Sequence, residues 1–199
     1  MKMTNIVDYP KFRTEIVKAI RNGETAVLPF DTVYGLAANP FCDDSMDRLY
    51  KIKGRNFNKP VALIFASIEM LKKFISISSD QEKFICQRTP GEYTFIIPWR
   101  IRDKKKFSKH YQKLEKIGAR IPNYKFILDF AKEIDQPIAA TSSNVSGNDN
   151  CWNVDDFLEQ INNSNFKPDF IIDAGELSKN PPSEIIDISD INNIETLRK

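Results

Sequence analysis

One histidine and three cysteines are all that the 199 residues offer to nucleophilic, redox or metal chemistry based on those side chains. His110 lies in a lysine-rich stretch, so a Ser-His-Asp or Cys-His machine would rest on that single ring, which argues against the class. Cys42, Cys86 and Cys151 are odd in number, far apart and without C-x-x-C spacing. Neither a disulfide framework nor a zinc site is indicated, and a reducing compartment is the default. No apolar run approaches the roughly 20 residues that a membrane span requires, and the start MKMTNIVDYPKFRTEIVKAI has no apolar signal core. The expectation is a cytoplasmic chain without membrane contact, in which the sequon-like Asn144-Val145-Ser146 is not glycosylated. The chain also lacks a G-x-x-x-x-G-K-[ST] loop and a G-x-G-x-x-G turn after its first strand, so bound phosphates would have to be held by side chains.

What is present suits one domain over residues 1–199, with 41% hydrophobic and 28% charged residues and a formal net charge of +2. The charge is uneven: residues 1–150 carry 25 basic and 17 acidic side chains, residues 151–199 carry 4 and 10. A basic body fits polyanionic partners such as nucleotide phosphates or RNA, and equally a coat of solvated lysines.

Periodicity sets out the elements. YPKFRTEIVKAIRNG places Phe12, Ile16, Ala19 and Ile20 on one helical face and stops at Gly23. TAVLPF reads as a strand, and DDSMDRLYKIKG as a helix capped by Asp43 or Asp44 and ended by Gly54. VALIFA, YTFIIPW, KIGARIP, PIAA, DFIIDAG and EIIDI have strand character, whereas SIEMLKKFI, DQEKFICQR, FILDFAKEI and VDDFLEQI have helical spacing. Residues 99–116 read as an irregular basic segment. Alternating strands and helices predict an α/β fold with a sheet covered on both faces. Neighbouring strands without a helix between them predict some antiparallel pairs.

Three segments concentrate polar chemistry. In KIKGRNFNKP, Lys51, Lys53, Arg55 and Lys59 surround Gly54, either to complement a helix C-terminus or to grip phosphate. DTVYGLAANP follows a strand end, where open α/β sheets bind ligands, and offers Thr32, Tyr34 and Gly35. PIAATSSNVSG runs from an apolar strand into Thr141, Ser142, Ser143, Asn144 and Ser146. An Asx or Ser/Thr turn accounts for one or two of these residues, and an anion or amino-acid site for all of them.

PFDTVYGLAANP, YKIKGRNFNKPVALIF, TPGEYTFIIP, GARIP, PIAATSSNVSG and PPSEIIDI together resemble, in order and approximate spacing, the YrdC/TsaC family of threonylcarbamoyl-AMP synthases. The resemblance runs from about residue 10 to the C-terminus and is to the short, single-domain type. It implies a twisted mixed sheet with helices on both faces and a concave basic cleft. It also implies that L-threonine, bicarbonate and ATP, the last with Mg²⁺, give threonylcarbamoyl-AMP and pyrophosphate. A separate transferase complex then modifies tRNA. Carried over by position, Lys53, Arg55 and Lys59 would hold ATP phosphates, with Lys53 and Arg55 catalytic. Ser142, Asn144, Ser183 and Arg198 would lie on the nucleotide side. Thr32, Arg120 and Thr141 would hold threonine, Arg120 through its carboxylate, and no protein side chain would ligate a metal. Phe30, Glu92 and Lys116 depart from the pattern: relatives usually have threonine, proline and a small hydroxyl residue there.

Such a reaction needs no covalent enzyme intermediate. It needs two anions held together and charge neutralised on a leaving group, so the shortage of histidine is consistent with it. Two rival readings stand beside it. One is a non-catalytic RNA-binding module, based on Trp99, Phe107 and Tyr111 interleaved with 8 basic side chains in residues 99–116. The other is a paralogue using a different acceptor, suggested by Phe30.

Overall fold

The computed structural model describes residues 1–101 and 103–199. Among these residues ten strands form one sheet: β1 Lys2–Asn5, β2 Ala26–Leu28, β3 Gly35–Ala38, β4 Ala62–Ile64, β5 Tyr93–Pro98, β6 Lys116–Arg120, β7 Ile138–Ser142, β8 Phe170–Asp173, β9 Glu184–Asp187 and β10 Glu195–Arg198. Their order across the sheet is β1-β8-β2-β3-β7-β4-β6-β5-β9-β10. The pairs β1/β8, β2/β8, β4/β6 and β5/β9 are parallel. The other five neighbouring pairs are antiparallel, so the sheet is mixed, as the helix-free connections predict.

Among the described residues seven α-helices accompany the sheet: α1 Tyr9–Arg21, α2 Asp43–Lys53, α3 Ile68–Phe74, α4 Ser79–Cys86, α5 Lys109–Gln112, α6 Lys125–Ile134 and α7 Val154–Gln160. Because successive strand residues point to opposite faces, each strand feeds two cores. Val27, Leu36, Leu63, Phe95 and Ala119 pack with Met46, Leu49, Leu71, Ile85, Tyr111 and Phe157 from α2, α3, α4, α5 and α7. Ala26, Leu28, Ala37, Phe170 and Ile172 pack on the other face with Ile16 and Ile20 of α1 and with Ile127, Phe130 and Ile134 of α6. Burying one such side chain contributes about 1.5–3 kcal/mol, so the two faces together carry the fold.

On the α1/α6 side the helices do not cover the whole sheet. The face formed by β7, β4, β6, β5 and β9 stays open, and the residues it presents include Ala140, Ala62, Gly118 and Thr94. Small side chains there leave a hollow. A Cβ on Gly118 would come within 3.1 Å of the Ala62 Cβ and 3.2 Å of the Thr94 Cγ2, so the floor is already close-packed.

Local readings needed correction in several places, and sequence patterning does not mark β1 and β10 as strands. Neither Asp43 nor Asp44 caps α2: the N-cap position is Cys42, and both acids lie in the first turn. Asp43 instead accepts hydrogen bonds from Ser108 Oγ at 2.6 Å and Lys109 N at 2.8 Å, tying α2 to α5. Phe12 is 43% exposed, and α1 buries Tyr9 and Val17 beside Ile16, Ala19 and Ile20. Residues 35–38, not read as a strand from sequence, form β3, held between β2 and β7. Residues 99–116 are not irregular throughout: they contain a 3₁₀ turn at Lys104–Lys106, the helix α5 and the start of β6, with Arg102 outside the described residues. Trp99, Phe107 and Tyr111 are 2%, 4% and 1% exposed, so these rings belong to the core and offer no surface for stacking RNA bases. No helix among the described residues is long and apolar enough to cross a membrane.

Candidate active site

The open sheet face is the floor of a cavity of about 440 Å³. Its lining includes four cationic side chains, Arg55, Lys116, Arg120 and Arg198, and no carboxylate among the described residues. Two like charges 4 Å apart at an effective dielectric of about 20 repel by about 4 kcal/mol. Each of the four is accordingly held by an oxygen at the edge of the hollow.

Arg120, the last residue of β6, is 8% exposed and pairs with Asp31 through Nη2 and Oδ1 at 2.5 Å. Its Nη1 donates to Thr32 Oγ1 at 3.3 Å, and its Nε is buried without a partner among the described residues. Burial pulls this guanidinium below its usual pKa, and the Asp31 charge opposes that shift. Asp31 is itself fixed by the Asn123 N–H at 2.7 Å. It was not singled out from sequence, although it directly precedes Thr32 in PFDTVYG.

Arg55 follows Gly54, whose φ of 59° lets α2 end in a left-handed turn. The Arg55 side chain lines the cavity and donates to the Lys59 and Pro60 carbonyls at 3.2 and 3.1 Å. Lys59 itself is exposed and does not line the cavity.

Lys53 points elsewhere. It is 3% exposed, and its Nζ donates to Ser142 O at 2.7 Å, Ser142 Oγ at 3.0 Å, Asn144 O at 2.6 Å and Asn144 Oδ1 at 2.7 Å. Burial, followed by the nearby Arg55 charge, draws its pKa down to about 7. Asn144 is spent in the same way, its Nδ2 donating to Asn148 O at 2.6 Å and Val145 O at 3.2 Å. Lys53 and Asn144, both expected on ATP, lie outside the cavity lining and clamp each other's loops. In each motif, K-x-R and S-x-N, one member clamps and the other, Arg55 or Ser142, faces the hollow. Thr32, Thr141 and Ser142 line it as well.

Along the far wall, Ser183 Oγ lies 2.8 Å from Thr94 Oγ1. Arg198 donates to the Ser183 carbonyl at 2.6 and 3.0 Å, and burial lowers its pKa. Lys116 pairs with Asp187 at 2.9 Å. Burial works against the Asp187 carboxylate, yet Ser189 and Lys116 hold it below the usual range. Thr94, Asn150 and Pro182 also line the cavity, and sequence reasoning passed over them for want of a local signal. Of the departures from the family pattern, Phe30 lines the cavity and Glu92 does not: its Oε1 accepts from Asn180 Nδ2 at 3.2 Å.

A mixed α/β sheet whose open face gathers four cations and several hydroxyls forms a cleft with the charge and donors suited to anionic ligands. Comparison with known proteins narrows this class. The profile of the Sua5_yciO_yrdC family, described as "Telomere recombination", matches residues 18–199, and the chain belongs to that family. A protein of Methanocaldococcus jannaschii is 30% identical over 173 residues, 87% of this chain and 78% of that one. The threonylcarbamoyl-AMP synthase of Vibrio vulnificus is 27% identical over 177 residues, 87% and 91% of the two chains. Among solved structures, P. abyssi Sua5 complexed with L-threonine superimposes with a TM-score of 0.86 at 26% identity, over all of this chain and 57% of that one. The present chain thus spans under two thirds of that protein's length. E. coli YciO shares the fold, with a TM-score of 0.80 at 21% identity over 95% and 89% of the two chains.

Proposed function

We propose that the chain is a threonylcarbamoyl-AMP synthase, a nucleotidyltransferase acting on L-threonine, bicarbonate and ATP. The observation that carries this reading is the cavity lined by four cationic side chains, Arg55, Lys116, Arg120 and Arg198, with no carboxylate on its described lining. Two anionic substrates repel, and only fixed positive charge brings them within bonding distance in a water-poor cleft. The threonine-bound Sua5 relative and the Vibrio synthase support the choice of substrates.

In this reading the carboxylate of threonine pairs with the Arg120 guanidinium, beside Thr32 and Thr141. The amine adds to bicarbonate, losing water, and gives a carbamate. A carbamate oxygen then attacks the α-phosphorus, and the bridging oxygen leaves with the bonding pair as pyrophosphate. Arg55 and Ser142 neutralise and orient the phosphates, while Ser183 and Arg198 border the nucleotide. Lys53 and Asn144 act indirectly, by holding the Ser142 turn. Mg²⁺ bound with ATP would supply neutralisation of phosphate charge, and the oxygens of the described lining that would face it are neutral ones such as Ser142 Oγ and Ser183 Oγ. The product then serves a separate tRNA-modifying transferase.

The test is incubation with ATP, Mg²⁺, bicarbonate and threonine, followed by mass detection of the acyl-adenylate and assay of pyrophosphate. Product that needs both threonine and bicarbonate is expected; pyrophosphate no higher than in their absence would sink the reading.

A second reading, a paralogue with another acceptor, is favoured by Phe30. Its ring is 5% exposed, lines the cavity and lies so close to Gly35 that a Cβ there would sit 2.5 Å from it. An apolar wall stands where a hydroxyl would otherwise greet the amino acid. Rates with threonine, serine, glycine and valine distinguish the two, since preference for valine or glycine would replace threonine as the acceptor.

A further inference from the structure

The proposed reaction leaves one cavity-lining cation, Lys116, without a task. It opens β6, and Gly118 and Arg120, two and four residues on, share its face of the sheet and line the same hollow. β4 and β6 run parallel with Leu63 opposite Ala119. Three residues back along each chain lie Pro60 and Lys116, and neighbouring strands are about 4.8 Å apart. The Pro60 carbonyl is one of the two that hold the Arg55 guanidinium. Arg55 and Lys116 therefore flank one end of the cavity, and Arg120 lies about 13 Å further along β6.

The tether of Lys116 is of an exchangeable kind. Its side chain is 52% exposed, its only salt-bridge partner among the described residues is Asp187, and pairs this open to solvent hold weakly. A lysine ammonium on a flexible four-carbon stem can move to a stronger anion nearby. Asp187 would not be orphaned, because its Oδ1 already accepts the Ser189 N–H at 2.8 Å.

We propose that Lys116 leaves Asp187 for the polyphosphate tail of a nucleoside triphosphate and acts beside Arg55 on the phosphates that depart as pyrophosphate. This rests on the nucleotide reading of the cavity and adds a residue to it.

Calorimetric titration of the full chain with ATP, AMP and inorganic tripolyphosphate tests the assignment in the wild type, Lys116→Met and Asp187→Asn. Lys116→Met is expected to weaken ATP and tripolyphosphate about tenfold, the loss of one charge-assisted contact, and to leave AMP within about twofold. Asp187→Asn, which frees the lysine, is expected to bind ATP at least as tightly as the wild type. Unchanged ATP affinity in Lys116→Met, or equal weakening of ATP and AMP, overturns the role of Lys116 while leaving the nucleotide reading in place. Loss of ATP affinity in Asp187→Asn overturns the exchange. A wild type that binds no ATP overturns both.

Discussion

Lys53 presents three donated protons to four oxygens in a setting that is 3% exposed, so its ammonium works as an internal clamp. Lys53→Met leaves the Ser142 and Asn144 carbonyls without their donor and is expected to cost about 2–3 kcal/mol, read from urea denaturation. The pH dependence has a definite sign. The folded-state pKa of about 7 lies below the ordinary 10.5, so between those values the unfolded chain binds more protons than the native one. Stability therefore rises with pH through this window. Denaturation at pH 7, 8 and 9 is expected to show that rise in the wild type and a flatter profile in Lys53→Met. Arg55, two residues on, touches only backbone carbonyls and the hollow. Arg55→Ala is accordingly expected to lower pyrophosphate release by about 100-fold or more with the unfolding midpoint unchanged, and near-normal turnover would refute its assignment. Sequence singled out both residues but not their division of labour, because Lys53 is the last residue of α2 whereas Arg55 lies past the left-handed Gly54, where the helical direction of side chains no longer holds.

Among the elements, local patterning missed the edge strands β1 and β10, the short helix α5 and, in the middle of the sheet, β3. Gly35, Leu36, Ala37 and Ala38 lack the branched and aromatic residues that mark strands, and the segment forms a strand because β2 and β7 bond to it on either side. Its first residue must be glycine for a reason of packing: the Phe30 ring occupies the place of a side chain. Gly35→Ala is expected to destabilise the protein by about 1–3 kcal/mol, and Phe30→Ala in the same chain to recover part of the loss, as measured in a double-mutant cycle. The helix α6 was legible because Phe130 and Ile134 recur at helical spacing, and both are buried against the sheet. Phe130→Ala should cost about 3–5 kcal/mol in thermal or denaturant unfolding.

At the scale of the molecule, the cleft gathers charge that the sequence spreads over more than 140 positions, from Arg55 to Arg198. ATP binding should therefore weaken as salt rises from about 0.05 to 0.5 M, because the Debye length shortens; insensitivity to salt would contradict a cationic cleft. The sequence by itself determined the alternation of strands and helices, the mixed character of the sheet and the strand ends where polar residues collect. These follow from side-chain periodicity and local backbone preference, which act over a few residues. Only the tertiary structure decided that Lys53 meets Asn144, that Asp31 meets Arg120 across 89 positions, and that the rings of Trp99, Phe107 and Tyr111 turn inward. Such pairings depend on strand order and on which face of the sheet is left uncovered, and no neighbour in the chain carries that information.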